Sequence, residues 1–415
     1  MGTRWSSGVW ANQSFRWFYF GRTVSLFGSA MTPVALAFAI LETRQGQALL
    51  GYLLAAELLP HALLVLLGGN LADRVRRNRL LVWTQVGQAC CQAAVAAVVL
   101  TGSGPYDLFP LAVLNGTLAA VSSPALRGIV PELVPPSRIS QANALLNTSR
   151  SAARVVGPAV AGLLVSTVGG GYGILVDAVT FFVAAVCMAR IDLPLSPPEP
   201  TRSLVRALKD GWQYFRRRRW IWSVTGAWAM MNLIQMGAWQ VLGPIIARKT
   251  FGPAAWGLTL SMKAAGILAG SMLLLKIRFT RPLRDGLLGA VFIGMPLVVL
   301  GRHLPLPVLT LATGLAGIGS AVTNVTWDTA LQEGVPQDRL GQVIAFDEFG
   351  SYVGIPLGEI LAVPLADRWG AHPVVMVAGV LFILVALSPL TLRDVRRMTS
   401  DDIRATVTEP SLPGS

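Results

Sequence analysis

The sequence predicts an all-α membrane protein with twelve transmembrane helices in two six-helix halves, and three observations support this prediction. The 415-residue chain is 53% hydrophobic and only 13% charged, whereas soluble domains average about 25% charged residues. Its apolar residues form long continuous runs, which favour membrane helices over the short alternating strands of a β-barrel. A short polar segment of the first half also recurs in the second half at an equivalent position.

The composition excludes several classes of protein. The chain has 34 Lys and Arg against 21 Asp and Glu, a net charge of +13, which in a soluble protein would suggest nucleic-acid binding. That interpretation requires a soluble basic face, so we expect no nucleic-acid partner for a chain this apolar. The three cysteines lie in apolar runs and the three histidines are scattered. We therefore expect no disulfide framework, no metal site and no cofactor.

Each predicted membrane helix is a run of about 20 mostly apolar residues, the length that crosses a bilayer. The twelve runs lie at 17–41, 47–70, 79–101, 107–127, 140–168, 171–191, 220–247, 253–276, 284–301, 307–330, 340–366 and 372–393. With the N-terminus in the cytoplasm, 25 of the 34 basic residues fall in inner segments and only 5 in outer loops. This bias follows the positive-inside rule and predicts that both termini are cytoplasmic. The other four basic residues lie within spans: Arg22, Arg150, Arg154 and Lys263.

The spans and the polar segments between them predict four parts. These are an N-terminal half (1–191), a cytoplasmic linker (192–219), a C-terminal half (220–394) and a disordered cytoplasmic tail (395–415). Four apolar residues of the linker share one face of a helix, which indicates an amphipathic helix at the membrane surface. They are Leu204, Leu208, Trp212 and Phe215. The basic run 216–219 that follows is interpreted as cytoplasmic anchoring of the seventh span.

An internal repeat pairs residues 132–141 with 333–342, a shift of 201 residues, and five of the ten positions are identical. Each segment connects the fourth predicted span of its half to the fifth, and each fifth span then carries a cluster of Gly and Pro. The clusters are Gly157, Pro158 and Gly162 in the first half and Gly354, Pro356 and Gly358 in the second. Two parallel six-helix repeats are typical of secondary transporters. The short connections leave no room for a catalytic or nucleotide-binding domain.

The loop between spans two and three reads Gly69-Asn-Leu71-Ala-Asp73-Arg74-Val-Arg-Arg77. It resembles the loop signature of the major facilitator superfamily and departs from it at one position, where Arg stands in place of Gly. The resemblance implies the major facilitator fold. It also implies a gating motif that latches the two halves together on the cytoplasmic side, formed by Gly69, Leu71, Asp73, Arg74 and Arg77.

Four further stretches resemble the bacterial branch of this superfamily that contains the enterobactin exporter and macrolide-efflux proteins. They are 22–28, 142–145, 154–162 and 177–181. The resemblance implies a multi-pass, monomeric protein of the bacterial plasma membrane that exports a small molecule and has no enzymatic activity. Gly157, Pro158 and Gly162 partly resemble the antiporter motif of exporters, although Ala161 stands where that motif has Gly. Ser29 also stands where an acid often follows the first-span Gly.

Ionisable groups inside a membrane are costly, so they are functional candidates by default. Near mid-span lie Glu57, Arg154, Lys263 and Glu359, on the spans that line the seam between halves in the fold that the resemblance implies. In one interpretation Glu57 and Glu359 approach each other and hold a proton near neutral pH. In the other, these groups form static ion pairs that brace the seam, among them Glu57 with Arg154. Asp177 is interpreted as a residue that caps or pairs structurally, with a proton or ion-pair role as the alternative.

The fold implied by the resemblance lines its central cavity with spans 1, 4, 7 and 10. On span seven, Trp228, Met231, Gln235 and Trp239 share one helical face; span ten adds Asn324 and Trp327, and span four adds Asn115. Aromatic, Met and amide groups suit a large, mostly apolar ligand, and ordinary helix packing is the alternative. We therefore predict proton-coupled export of a lipophilic antibiotic, natural product or siderophore. The alternatives are a solute importer and, less favoured, a membrane sensor or lipid-modifying protein.

Overall fold

The computed structural model describes residues 9–43, 45–65, 77–191, 212–275, 277 and 279–408, and all regular structure within them is helical. Ten helical segments of this part of the chain are long and apolar enough to cross a membrane. The described chain is therefore an all-helical, multi-pass membrane protein. By their internal contacts the residues form two units: Met1–Pro200 with Pro244–Ser261, and Thr201–Gly243 with Met262–Ser415. Pro244–Ser261 thus joins the first unit, whereas the sequence predicts a division at the linker.

Helices of the first unit follow the predicted spans closely. They are α1 (Gln13–Glu42), α2 (Gly46–Val65), α3 (Arg77–Thr101), α4 (Leu108–Gly128), the short α5 (Val130–Leu133), α6 (Ile139–Val168) and α7 (Gly170–Ala189). α1 begins where the Asn12 side chain accepts hydrogen bonds from the backbone N–H groups of Ser14 and Phe15, which satisfies donors that a helix leaves free at its start. α6 and α7 meet at Gly169, whose φ of 95° favours glycine.

The remaining helices continue from the linker. They are α8 (Arg219–Gln235), a π-helical stretch (Met236–Leu242), α9 (Gly243–Lys249), α10 (Gly252–Leu274), α11 (Pro282–Gly301), α12 (Leu306–Gly334), α13 (Gln337–Tyr352), α14 (Ile355–Trp369), α15 (Ala371–Leu387), α16 (Arg393–Arg397) and α17 (Ser400–Thr408). α9 and the first ten residues of α10 belong to the first unit. The core of the second unit surrounds Trp220, Trp327 and Leu331.

Two predicted spans differ from regular helices. The eleventh span, predicted as one helix over 340–366, breaks between α13 and α14 at Val353 and Gly354. Pro356 explains the break, because proline lacks an N–H and its ring clashes with the carbonyl four residues earlier. The seventh span changes to π-helical geometry over Met236–Leu242. The wider π turns shift the register, so the predicted face of Trp228, Met231, Gln235 and Trp239 does not continue at α-helical spacing.

The prediction of a disordered tail is wrong for residues 395–408. α16 and α17 bring Val395 and Ile403 into the core of the second unit, where both side chains are fully buried. Thr399 begins α17 by donating from its backbone and hydroxyl to Asp402 Oδ2, at 2.8 and 2.7 Å. These bonds hold the pKa of Asp402 below its usual range. The prediction missed this Thr-x-x-Asp capping pattern, which is legible in the sequence.

The predicted amphipathic helix of the linker lies mostly outside the described residues. Its described end, 212–217, is helical. There the ring centroids of Trp212 and Phe215 lie 5.4 and 6.2 Å from that of Phe346 on α13. This end of the linker therefore packs on the second unit.

Candidate functional site

Asp177 on α7 is a fully buried acid of the first unit. It is 1% exposed, and its Oδ2 accepts hydrogen bonds from Thr32 Oγ1 at 2.7 Å and Gln92 Nε2 at 2.9 Å. Thr180 Oγ1 lies 3.3 Å from Oδ1. α1 comes close enough to α7 because Gly28 has no side chain; a Cβ there would overlap Thr180 and Asp177. Asp177 is therefore held by neutral donors from three helices.

A second acid lies beside this cluster. Glu57 on α2 accepts a hydrogen bond from Asn115 Nδ2 on α4 at 2.8 Å, and Gly116 lets α4 pack directly against the Glu57 backbone. Glu57, Asn115 and Gln92 border a small cavity of about 20 Å³, which is large enough for one water molecule. Because Gln92 also bonds to Asp177, this cavity adjoins the hydrogen-bonded groups of both acids. The structure thus pairs Glu57 with Asn115, whereas the side chain of Arg154 is exposed.

In the second unit Asp347 on α13 is a buried acid with two hydrogen-bond donors. It is 8% exposed and accepts hydrogen bonds from Thr225 Oγ1 at 2.5 Å and from Trp327 Nε1 at 2.9 Å. Asp347 was not predicted as a site residue. An acid inside an apolar run was the available signal, whereas no sequence signal identified Thr32, Gln92 and Thr225.

The other predicted ionisable residues of the second unit lie apart from Asp347 in the chain. Glu359 is buried on α14, directly after Gly358, which packs against the backbone of Leu233. Lys263 lies on α10, where Gly317 of α12 packs against its backbone carbonyl. Glu359 therefore directly follows a glycine at which two helices pack closely, and the backbone of Lys263 is itself in contact with such a glycine.

The Gly-Pro element of α6 forms close helix contacts. Gly157 packs on Ala30 of α1, and a Cβ at Gly257 of α10 would meet the Pro158 carbonyl and the Gly162 Cα. The backbone N–H of Ala159 donates to Ser261 Oγ at 2.9 Å. Small residues permit such close helix approach in membranes. The element that resembles an antiporter motif is thus a place within the first unit where glycines let helices pack closely together.

The predicted cavity residues have varied surroundings. Met231, Gln235, Trp239 and Trp327 are buried, Trp228 is partly buried, and Asn324 is exposed. An apolar cavity of about 600 Å³ borders the π-helical stretch and α15, with Leu233, Leu361 and Leu381 among its lining residues. None of the predicted cavity residues lines it. The predicted side chains of α8 and of the π-helical stretch instead pack within the second unit.

Most of the predicted gating motif, namely Gly69, Leu71, Asp73 and Arg74, lies outside the described residues. Arg77 begins α3, where its guanidinium pairs with the Glu132 carboxylate and donates to the Gly128 carbonyl at 2.9 Å. Gly128 leaves the space that this guanidinium occupies. Arg77 therefore fixes the start of α3 to the connection between α4 and α6.

Comparison with known proteins gives consistent matches over most of the chain. The family model of the Major Facilitator Superfamily matches residues 18–359. The multidrug efflux pump Tap of Mycobacterium tuberculosis is 24% identical over 398 residues, covering 91% of this chain and 93% of Tap. Macrolide efflux protein A of Streptococcus pyogenes is 22% identical, covering 91% and 95%. The crystal structure of the nucleoside transporter NupG has a TM-score of 0.75 at 11% identity, covering 91% and 99%, which shows a shared fold.

Proposed function

The chain belongs to the Major Facilitator Superfamily, as its loop motif predicts, and from this membership we propose that it exports a lipophilic small molecule from bacterial cells. Members of this family are transporters and not enzymes. Two relatives named as efflux proteins support the export direction. We propose an antibiotic, natural product or siderophore as cargo. The protein would act as a monomer in the inner membrane, with twelve spans and both termini in the cytoplasm.

The proposed mechanism is alternating access coupled to proton antiport. Two acids support this proposal: Glu57 lines a water-sized cavity of the first unit, and Gln92, which also lines it, donates a hydrogen bond to Asp177. A carboxylate in low-dielectric surroundings is costly when charged, so it can take up and release a proton as access to water changes. Glu359 is the corresponding candidate in the second unit, and Arg154 and Lys263 are candidate ion-pair partners.

Drug-driven proton flux tests this mechanism. Proteoliposomes with a pH-sensitive dye inside would receive a macrolide outside, and proton movement would be recorded for Glu57→Gln, Asp177→Asn and Glu359→Gln. We expect the wild-type protein to exchange protons for drug and at least one variant to transport drug without proton movement. Glu132→Gln, which alters an acid outside the spans, is the control. Unchanged coupling in all three variants would contradict the proton sites, and wild-type protein that moves no compound would contradict export.

We also propose that the loop motif controls the cytoplasmic gate. Asp73 would be the acid of this gate, as the resemblance to the loop signature implies, and it would favour the state in which the cytoplasmic side is closed. Asp73→Asn should therefore lose transport while membrane levels of the protein stay normal. Full transport by this variant would leave the motif with a topological role only.

A further inference from the structure

We propose that the first unit contains a binding pocket for an organic anion, with Arg22 and Arg150 binding its charged group. This inference rests on the proposed transport function and narrows the substrate class. The pocket has a volume of about 320 Å³ and is bordered by α1, α3, α4, α6 and α7. Its polar lining residues are Arg22, Ser29, Gln85, Gln88, Ser122, Ser123 and Arg150. Ligand pockets begin at about this size.

The depth of the two arginines argues against a simple anchoring role. Arg22 is the tenth residue of α1 and Arg150 the twelfth of α6, which places them about 14 and 17 Å along their helices. Both helices start at ends that the predicted topology assigns to the cytoplasm. The two residues therefore lie at similar distances from the starts of their helices, and both line one cavity.

The charges in this pocket are not balanced by the protein residues that line it. None of the lining residues that the structure describes is an acid. Asp177 on the neighbouring α7 receives its hydrogen bonds from Thr32, Gln92 and Thr180. The hydrogen bond from Arg150 to Asn147 is long, at 3.4 Å. Arg22 is partly buried and Arg150 is exposed. Two cations that line one cavity repel each other and attract an anion, so the pocket favours a carboxylate, phenolate or phosphate.

A pair of xanthene dyes of similar shape and opposite charge tests the pocket. Fluorescein is an anion that carries a carboxylate and, at neutral pH, a phenolate, whereas rhodamine 123 is a cation. With the purified full chain in detergent, fluorescence anisotropy should show binding of fluorescein and much weaker binding of rhodamine 123. Arg22→Gln and Arg150→Gln should each weaken fluorescein binding about tenfold or more, since each removes a charged hydrogen-bond donor. Arg22→Lys should restore part of the affinity.

Two further variants separate the pocket from general effects of charge and folding. Arg16→Gln removes an exposed arginine of the same helix outside the pocket and should leave binding unchanged. Leu146 also lines the pocket, so Leu146→Asp places a carboxylate beside both arginines and should weaken fluorescein binding about tenfold or more. Leu146→Asn adds polarity without charge and should weaken it less. Gel filtration checks that each variant remains folded and monodisperse.

Three results would overturn the pocket: no fluorescein binding below about 1 mM, equal affinity in the Arg22→Gln/Arg150→Gln double variant, or binding of rhodamine 123 as tight as fluorescein. The proposed function fails by a different result. If fluorescein binds with this pattern but no compound moves across proteoliposomes, the pocket stands and export is wrong. If a macrolide is transported and fluorescein does not bind, export stands and the pocket is wrong.

Discussion

The two repeat-related segments of the molecule begin in the same way. In the first unit, Val134 precedes Pro135 with φ −135° and ψ 148°, and in the second, Val335 precedes Pro336 with φ −123° and ψ 131°. A residue before proline is restricted to such extended backbone. Both valines are buried in the core of their own unit. The next long helix then starts in each unit, α6 in one and α13 in the other.

The segments diverge one turn further along. Ala142 and Val343 are equivalent positions, and both are fully buried apolar residues. Four residues later the equivalent buried positions hold an apolar residue, Leu146, in the first unit and an acid, Asp347, in the second. Later, α6 continues through Pro158 while its counterpart breaks into α13 and α14. The repeat therefore preserves the buried positions and the start of the helix, and the polar groups are added separately in each unit. Replacing a residue of one unit by its equivalent from the other unit should therefore be tolerated only where the original side chain makes no hydrogen bond.

Asp347→Leu gives the second unit the side chain of the first and should have the largest effect on stability. It leaves the Thr225 hydroxyl and the Trp327 N–H, both buried, without their acceptor. We expect a loss of about 2–5 kcal/mol in the free energy of unfolding, measured as a lower thermal unfolding temperature in detergent.

Asp347→Asn is the matched control, since it keeps one acceptor oxygen and should lose much less. Tryptophan fluorescence would report the same change locally, because Trp327 contacts Trp220 with ring centroids 5.9 Å apart. Equal stability of the Leu variant and wild type would show that the hydrogen bonds of Asp347 contribute nothing.

The sequence predicted the positions of most helices because a run of apolar residues has few alternatives in a membrane. It also contained the signals for two missed features, Pro356 at the break before α14 and Thr399 at the start of α17. The π-helical stretch had no such signal, since it depends on Gly237 packing against the Gly358 carbonyl far along the chain. Asp177 was predicted to cap or pair with a neighbour, but the sequence did not identify its partners Thr32 and Gln92, because they come from other helices.

Truncating Ile403 should have an intermediate effect, limited to the second unit. Its fully buried side chain on α17 packs against Gly334, which belongs to the repeat segment 333–342. Ile403→Ala removes apolar contacts and leaves a cavity, which costs about 2–4 kcal/mol at a well-packed site. Limited proteolysis should then cut the C-terminal region faster. Asp401→Ala is the control, because this side chain of the same helix is 94% exposed, and the protease should cut this variant at the wild-type rate. Equal cutting rates for the two variants would mean that α17 is not a stable part of the core.

The ion pairs of the two repeat segments should give the smallest difference. Glu132 is bound by Arg77, which also donates to the Gly128 carbonyl, whereas Glu333 is bound by Arg404 of α17. Arg77→Ala should lower stability by about 1–2 kcal/mol, because it removes two charged hydrogen bonds at a half-buried site. Arg404 is exposed, so Arg404→Ala should have no measurable effect.

Glu333 raises the pKa of Arg404 through hydrogen bonds and charge. A base whose pKa is higher in the folded state than in the unfolded state stabilises the fold at any pH below its unfolded-state pKa. Arginine is protonated throughout that pH range. The Arg404 pair should therefore show no pH dependence between about pH 6 and 9, and added salt should weaken it. Double-mutant cycles with Glu132→Gln and Glu333→Gln measure both pairs. A larger coupling energy for Arg404 with Glu333 would reverse the comparison and make α17, rather than the connection after α4, the stronger support of its repeat segment.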